Sequence, residues 1–218
     1  MNLNITFDLE TCALCPTAAV MSIGAVAWNG DAEDNPFTDG FSNDYCFYRH
    51  VDLRSSFVDG FTFDSKTSEW WATQDDGAKK ALLEYDDVPL HPIADVIEDF
   101  VYFIQYIQEE MSAKEVKLWS QGADFDIAIL KNICRKYGIE EPVSYKNFRD
   151  HRTFFMEGAK IICDKAGVEL DERKAYSLVD EYDGPGEPHN PVFDCKRSIF
   201  STWQMMKHLR SLNVSKEE

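Results

Sequence analysis

Asp8 and Glu10 close a run of apolar and β-prone residues, Asn4-Ile5-Thr6-Phe7-Asp8-Leu9-Glu10-Thr11, close to the start of the chain. Successive side chains on a strand point to opposite faces, so a spacing of two sets both carboxylates on one side. Like charges held side by side repel, and folding stability alone gives no reason to place them there. A divalent cation bridging them supplies one. Taken alone, Phe7-Asp8-Leu9-Glu10 is a pattern that chance produces often, and a strand running into an acidic turn is the plainer account. Two later acidic stretches change that balance.

The chain has 218 residues, 44% of them hydrophobic and 13% aromatic, enough for one good-sized domain spanning residues 1–218 with a packed core. Residues 213–218 are expected to form a disordered tail. The longest apolar runs are too short to span a membrane. Met-Asn-Leu-Asn has neither the basic nor the apolar region of a secretory signal, so a cytoplasmic location is expected. The cysteines (Cys12, Cys15, Cys46, Cys134, Cys163 and Cys195) are scattered and are expected to be reduced thiols. Cys12 and Cys15 form a single C-x-x-C, but no second pair of ligands stands at zinc-site spacing. Pro16 and the acidic neighbourhood also argue against a redox motif, leaving these thiols as packing residues of a loop.

A net charge of −17 and a pI near 4.6 argue against broad electrostatic capture of long duplex nucleic acid. A short substrate end held through metal ions is less affected by that charge.

After the acidic strand, residues 20–28 read as a second strand and Asn29-Gly30 as a hairpin-type turn. Residues 31–43 read as an extended polar loop, and 45–51 as a third strand completing an antiparallel meander. Residues 68–74 predict a short helix capped by Thr67 or Ser68. Its adjacent tryptophans, Trp70 and Trp71, cannot both face one core. One should lie at the surface where a base can stack on it; the plainer account packs both partly against neighbouring elements.

His91-Pro92 opens a long amphipathic helix with Ile93, Val96, Ile97, Phe100, Val101, Ile104 and Ile107 on one stripe. Residues 116–119 predict a short buried strand. Asp124 is placed to cap the next helix, which Gly138 ends. Helical spacing sets Asp126 on the side of Leu130, Ile133 and Tyr137, facing inward, and Asp124 toward solvent. Residues 143–145 predict a strand, 147–150 a turn and 152–167 a helix. Residues 171–187 form a charged stretch, Gly184-Pro185-Gly186-Glu187-Pro188 reads as a flexible loop, and His189-Asn190-Pro191-Val192-Phe193-Asp194 opens a terminal helix. The order is that of a mixed α/β layer.

Asp8 and Glu10 on a strand, Asp126 at a helix start and Asp194 on the last helix are the candidate site, with His189 five residues before Asp194. Carboxylates converging on one point would hold two divalent cations about 3.5–4 Å apart and clamp an in-line phosphoryl displacement. Oxygen ligands favour Mg²⁺ or Mn²⁺ over zinc. An imidazole beside them has the chemistry of a general base near neutral pH.

These segments resemble the motifs of the DEDD 3′–5′ exonuclease superfamily, histidine subtype (DEDDh). Phe7 to Thr11 is similar to the first motif, Phe125-Asp126 with Ile129-Leu130 to the second, and His189 through Asp194 to the H-x4-D of the third. The resemblance implies a ribonuclease H-like fold, a mixed five-stranded sheet with an antiparallel three-stranded meander and helices packed on both faces. Trp70-Trp71 with Gln74, Trp119 to Ala123, and Arg149-Asp150-x-Arg152-Thr153 resemble a smaller group, that of phage exonuclease A and a mycobacterial 3′–5′ exoribonuclease.

By that resemblance Asp8, Glu10, Asp126 and Asp194 are metal ligands and His189 is the general base. Thr11, Met21 and Ser22 lie where the terminal nucleotide is received, and Trp71 is a stacking platform. The chain departs from the pattern at Gly122, where Asn is common, and at Pro191, where a small residue is common. The implied activity is hydrolysis from the 3′ end of single strands or 3′ overhangs, RNA slightly favoured over DNA, with release of nucleoside 5′-monophosphates. A homodimer follows by analogy only, and no membrane partner is expected. The competing readings are a catalytically silent nucleic-acid-binding or scaffold module of the same fold, and an aspartyl-phosphate phosphatase. The last would need Asp-x-Asp where this chain has Asp-x-Glu.

Overall fold

The structure is a computed structural model that describes residues 2–37, 45–83 and 89–214. Much of the loop expected over 31–43, and the end of the tail expected over 213–218, lie outside the described residues; the last helix runs through Val214.

Strand β1 (Leu3–Thr11) is the centre of a five-stranded sheet. It pairs antiparallel with β2 (Val20–Asn29), which pairs antiparallel with β3 (Cys46–His50). On its other side β1 runs parallel to β4 (Lys117–Ser120), and β4 runs parallel to β5 (Phe148–Asp150). The spatial order is β3-β2-β1-β4-β5, the mixed sheet with an antiparallel meander that the sequence implies.

Alternation along β1 separates two environments. Leu3, Ile5, Phe7 and Leu9 enter the larger core, where they meet α4 (Ile93–Glu110) and α5 (Ala128–Tyr137). The α4 stripe of Ile93, Val96, Ile97, Phe100, Ile104 and Ile107 is fully buried against it. Asn4, Thr6, Asp8 and Glu10 point to the opposite face, which is covered by α6 (His151–Ala166) and α7 (Pro191–Val214). Asn4, Thr6 and His151 find side-chain partners there, whereas Ser22 Oγ, opposite Glu10, has none among the described residues. Trp119 Nε1 donates to Asn4 Oδ1 (2.8 Å), and Trp28 Nε1 donates to Thr6 Oγ1 (3.0 Å). His151 bridges Thr6 (2.9 Å) and Thr202 (2.7 Å) through its two ring nitrogens. Burial pushes His151 down to about 3, so it stays neutral there.

Several local expectations are corrected. The strand expected at residues 143–145 is instead β5 at Phe148–Asp150, preceded by a 3₁₀ turn at Tyr145–Asn147. β5 is only three residues long and exists through pairing with β4, so no β-rich run announces it. Helix α2 (Ser65–Thr73) starts earlier than residue 68 because Asp64, not Thr67 or Ser68, accepts the first free amide, from Lys66. Asp124 caps nothing: a π-helical turn at Ala123–Ile127 precedes α5, and Gly122 takes the cap position. Helices α1 (Leu53–Val58) and α3 (Asp76–Leu83), and the 3₁₀ segment Glu172–Leu178, are short and were not anticipated.

One glycine fixes how near α7 comes to the sheet. Gly24 lies opposite Asp8 in the β1–β2 register, so both face α7. A Cβ on Gly24 would stand 2.7 Å from Pro191 C and Val192 N, closer than atoms pack. Asn190 Oδ1 accepts from the Val192 and Phe193 amides, so α7 begins directly over this gap. Gly24→Ala must push the start of α7 away. Its urea unfolding midpoint should fall by an amount equivalent to about 1–3 kcal/mol, and an unchanged midpoint would refute this packing account.

Candidate active site

Three elements bring acidic groups to one end of β1. Glu10 and Asp8 come from the strand itself, Asp126 from the π-helical turn before α5, and Asp194 from the first turn of α7. Asp126 is 3% exposed and Glu10 8%, while Asp8 is partly buried. Asp124 points to solvent, as helical spacing predicts.

Asp126 and Asp194 are each held by a backbone amide. The Leu9 amide donates to Asp126 Oδ1 (3.3 Å), fastening the turn to β1 between the two strand carboxylates. Asp150 caps α6 by accepting from the Thr153 amide (2.6 Å), and its other oxygen accepts from the Ala123 amide, which pins the start of the same turn. The His189 amide donates to Asp194 Oδ2 (2.8 Å), with His189 in left-handed backbone at φ 65°. Arg197 donates to the other Asp194 oxygen (3.0 Å). The His189 ring meets the edges of Trp70 (centroids 5.2 Å apart) and Trp71 (5.5 Å). One atom each from Glu10, His189 and Asp194 lies within 4.8 Å of the others. Asp8 and Asp126 stand outside that tightest set but close enough to act on it electrostatically.

Burial is the main cause of raised carboxyl pKa values here, and mutual repulsion adds to it. Asp8 is pushed well above the usual carboxylate range by burial, then by the charges of Asp126, Glu10 and Asp194. Glu10 is pushed up to about 8 by burial, then by Asp194 and Asp126. Asp126 is pushed up to about 7 by burial, with the Leu9 amide opposing. Cys195, buried on α7 with its thiol 3.4 Å from the Thr6 carbonyl oxygen, is raised by burial and by Asp8, Asp126 and Asp194. Positive charge placed among these groups would relieve that repulsion. The donors are mostly carboxylate oxygens, so they fit a hard divalent cation.

Two cavities flank the cluster and share Leu9, Glu10 and Phe125 as their partition. The larger, about 780 Å³, also takes in Asp8, His189 and Asp194 and runs along α7. The smaller, about 480 Å³, is walled by Thr11, Leu14, Trp70 and Trp71. Trp71 is partly buried and donates from Nε1 to the Thr11 carbonyl (3.0 Å), while Trp70 is 46% exposed. Thr11 and Trp71 therefore border the site. Met21 and Ser22 do not: both are buried in β2 and line neither cavity, although Ser22 sits opposite Glu10. Gly122 has room for a side chain, its nearest neighbour to an added Cβ being Phe125 at 3.8 Å. Pro191 is the residue that settles over Gly24.

Sequence reasoning missed Gly24, Cys195, the Thr6–His151–Thr202 chain, and the Arg173–Tyr176 wall of the larger cavity. Only the first was within reach, as a glycine on the strand paired with the acidic one.

Solved structures share this overall fold. Among solved structures, cell-death related nuclease 4 (CRN-4) superposes with a TM-score of 0.60 at 14% identity, over 95% of this chain and 64% of that one. The chain thus spans under two thirds of CRN-4. The nuclease domain of 3′hExo, a DEDDh family member bound to rAMP, superposes with a TM-score of 0.54 at 13% identity, over 95% of this chain and 92% of that one. No curated protein sequence matches the chain. The family model of the 3′-5′ exoribonuclease Rv2179c-like domain matches residues 3–197, and the chain belongs to that family. Residues 3–197 thus form a domain of this 3′-5′ exoribonuclease-like family. Among the described residues no helix is long and apolar enough to cross a membrane.

The raised carboxyls set a pH dependence for the metal-free protein. Glu10 and Asp126 hold protons in the folded state that they lose near pH 4 when unfolded, so the native state binds more protons between about pH 4 and 8. Stability is then greatest at the acidic end of that window and falls as pH rises through about 7 to 8. Thermal unfolding in EDTA should show a lower midpoint at the alkaline end than at the acidic end. In Asp126→Asn the fall should shrink; a fall of the same size would contradict the assignment.

Proposed function

We propose that this protein removes nucleotides one at a time from the 3′ end of single-stranded nucleic acid or 3′ overhangs, releasing nucleoside 5′-monophosphates. RNA is favoured slightly over DNA, on the strength of the family's exoribonuclease description. The observation that carries the reading is the convergence of Glu10, His189 and Asp194 within 4.8 Å, beside buried Asp126 and partly buried Asp8.

In this reading Asp8, Glu10, Asp126 and Asp194 hold two divalent cations, Mg²⁺ or Mn²⁺. Bound there, such ions neutralise phosphoryl oxygens and make water a better nucleophile near neutral pH. The chain's own residues do the rest. His189 accepts the proton of the attacking water, its ring kept in place by Trp70 and Trp71 and its backbone by Asp194. The smaller cavity takes the terminal nucleoside, with Leu14, Trp70 and Trp71 offering apolar and aromatic surface to its base. Thr11 stands where the sugar enters. Met21 and Ser22, implied as substrate contacts by resemblance, lie inside the sheet, Ser22 opposite Glu10 in the strand register.

A silent scaffold of this fold has no use for so many mutually repelling buried carboxylates, since each raises the cost of folding. Their retention favours the enzyme.

The test is a labelled single strand incubated with Mg²⁺ or Mn²⁺. Stepwise shortening from the 3′ end is expected, lost below detection in Asp8→Ala and Asp126→Asn. His189→Ala should lower kcat by about 10²–10⁴-fold. Cleavage of internal bonds, or an Asp8→Ala protein as active as the parent, would overturn the reading.

A further inference from the structure

The larger cavity extends well past the carboxylate cluster, along a wall that the reaction as described leaves unused. One side is α7, presenting Arg197, Ser198 and Ser201; the other is the segment from the 3₁₀ turn Glu172–Leu178 to Tyr182. Both sides are fixed. Gln204 clamps the backbone of Asp180, accepting from its amide (3.1 Å) and donating to its carbonyl (2.9 Å). Gln121 donates to the Tyr176 hydroxyl (3.1 Å) and accepts from Ser198 (3.1 Å), tying the two walls together near the cluster. Tyr176 lies flat on Phe155, with centroids 4.3 Å apart and planes 11° from parallel, yet it remains 39% exposed.

The charges on this wall run against those of the protein. In a chain of net charge −17, Arg173, Lys174 and Arg197 all line one cavity. Lys174 is paired with Asp171 (3.6 Å) and Arg197 with Asp194 (3.0 Å), and Asp180 and Glu181 also stand at the rim. Arg173 is exposed, and among the described residues its guanidinium has no hydrogen-bond or ion-pair partner. An unpaired arginine beside an exposed, rigidly backed tyrosine ring is the combination that holds single-stranded nucleic acid: cations follow the phosphates and aromatic faces accept bases of any identity.

We propose that this groove is the track for the strand upstream of the scissile phosphate, with Arg173 and Lys174 gripping its phosphates and Tyr176 stacking on one of its bases. The inference rests on the exonuclease reading, in which the terminal nucleoside fills the smaller cavity and the scissile phosphate lies at the shared partition. It adds the source of strand preference. A duplex would have to bring a second backbone over Asp180 and Glu181, whereas a single strand needs only the cationic side. Affinity for longer substrates is then local to Arg173 and Lys174 and does not depend on the protein's overall charge.

The test compares two substrates in the same Mn²⁺ buffer. A single strand of about ten nucleotides reaches into the groove. The p-nitrophenyl ester of thymidine 5′-monophosphate supplies a terminal nucleotide and a phosphodiester with no upstream strand. The quantity read is the ratio of kcat/KM for the strand to kcat/KM for the ester. In Arg173→Glu/Lys174→Glu this ratio should fall by about tenfold or more, through KM, with a shallower dependence of strand cleavage on salt. Both side chains are exposed, so folding should survive; Arg173→Lys should recover most of the ratio. A ratio that moves by less than about twofold, or an ester that loses as much as the strand, overturns the inference while leaving the exonuclease standing. A parent protein that cleaves neither substrate overturns the exonuclease reading itself, and the groove assignment with it.

Discussion

Burial of carboxylates crowded together at one strand end governs this molecule. Asp8, Glu10, Asp126 and Asp194 are brought to one strand end, where burial first and neighbouring charge second raise the cost of ionising Asp8 and Glu10. The fold opposes that cost with fixed dipoles. The Leu9 amide faces Asp126, the His189 amide and Arg197 face Asp194, and α7 sets its first turn beside the cluster. These interactions do not remove the strain, since Glu10 and Asp126 still hold protons at pH values where free carboxyls have lost them. A site kept in that state is complete only when cations enter it.

The rest of the architecture serves that convergence. The alternation of β1 gives one face to the core and the other to chemistry, and on the second face Trp28, Trp119, His151 and Thr202 satisfy Asn4 and Thr6 and one another. Gly24 lets the start of α7 descend onto the sheet opposite Asp8, which carries Asp194 and His189 to the cluster. Asp150 does the corresponding work for Asp126, capping α6 with one oxygen and holding the π-helical turn with the other. The site is therefore assembled by close backbone approaches more than by side-chain packing. The two cavities that meet at Leu9, Glu10 and Phe125 give the molecule a direction: an aromatic pocket on one side and a cation-bearing groove on the other.

Much of this was legible in the sequence for a physical reason. Apolar, β-prone runs placed β1, β2 and β3, helical periodicity placed α4, and the inward side of Asp126 followed from its spacing to Leu130 and Ile133. Elements that exist through tertiary partners were not legible. β5 is three half-buried residues whose partner is β4, and the π-helical turn depends on Asp150, far along the chain. The cap of α2 was misplaced because Asp64, Thr67 and Ser68 are all capping residues and only geometry selects one. Met21 and Ser22 were assigned to the substrate by resemblance, and burial in β2 places them behind the site. The groove left no pattern, since Arg173, Tyr176 and Arg197 meet only after α7 folds back over the sheet.

The claim on which all this depends is that the carboxylates are gathered to receive divalent cations. Calorimetric titration of the metal-free protein with Mn²⁺ near neutral pH, repeated in buffers of different ionisation enthalpy, tests it most directly. Because Glu10 and Asp126 still carry protons there, binding should be saturable and should release protons to the buffer, and both effects should vanish in a folded Asp8→Asn protein. The absence of saturable heat in the parent protein, or binding that Asp8→Asn leaves intact, would contradict it.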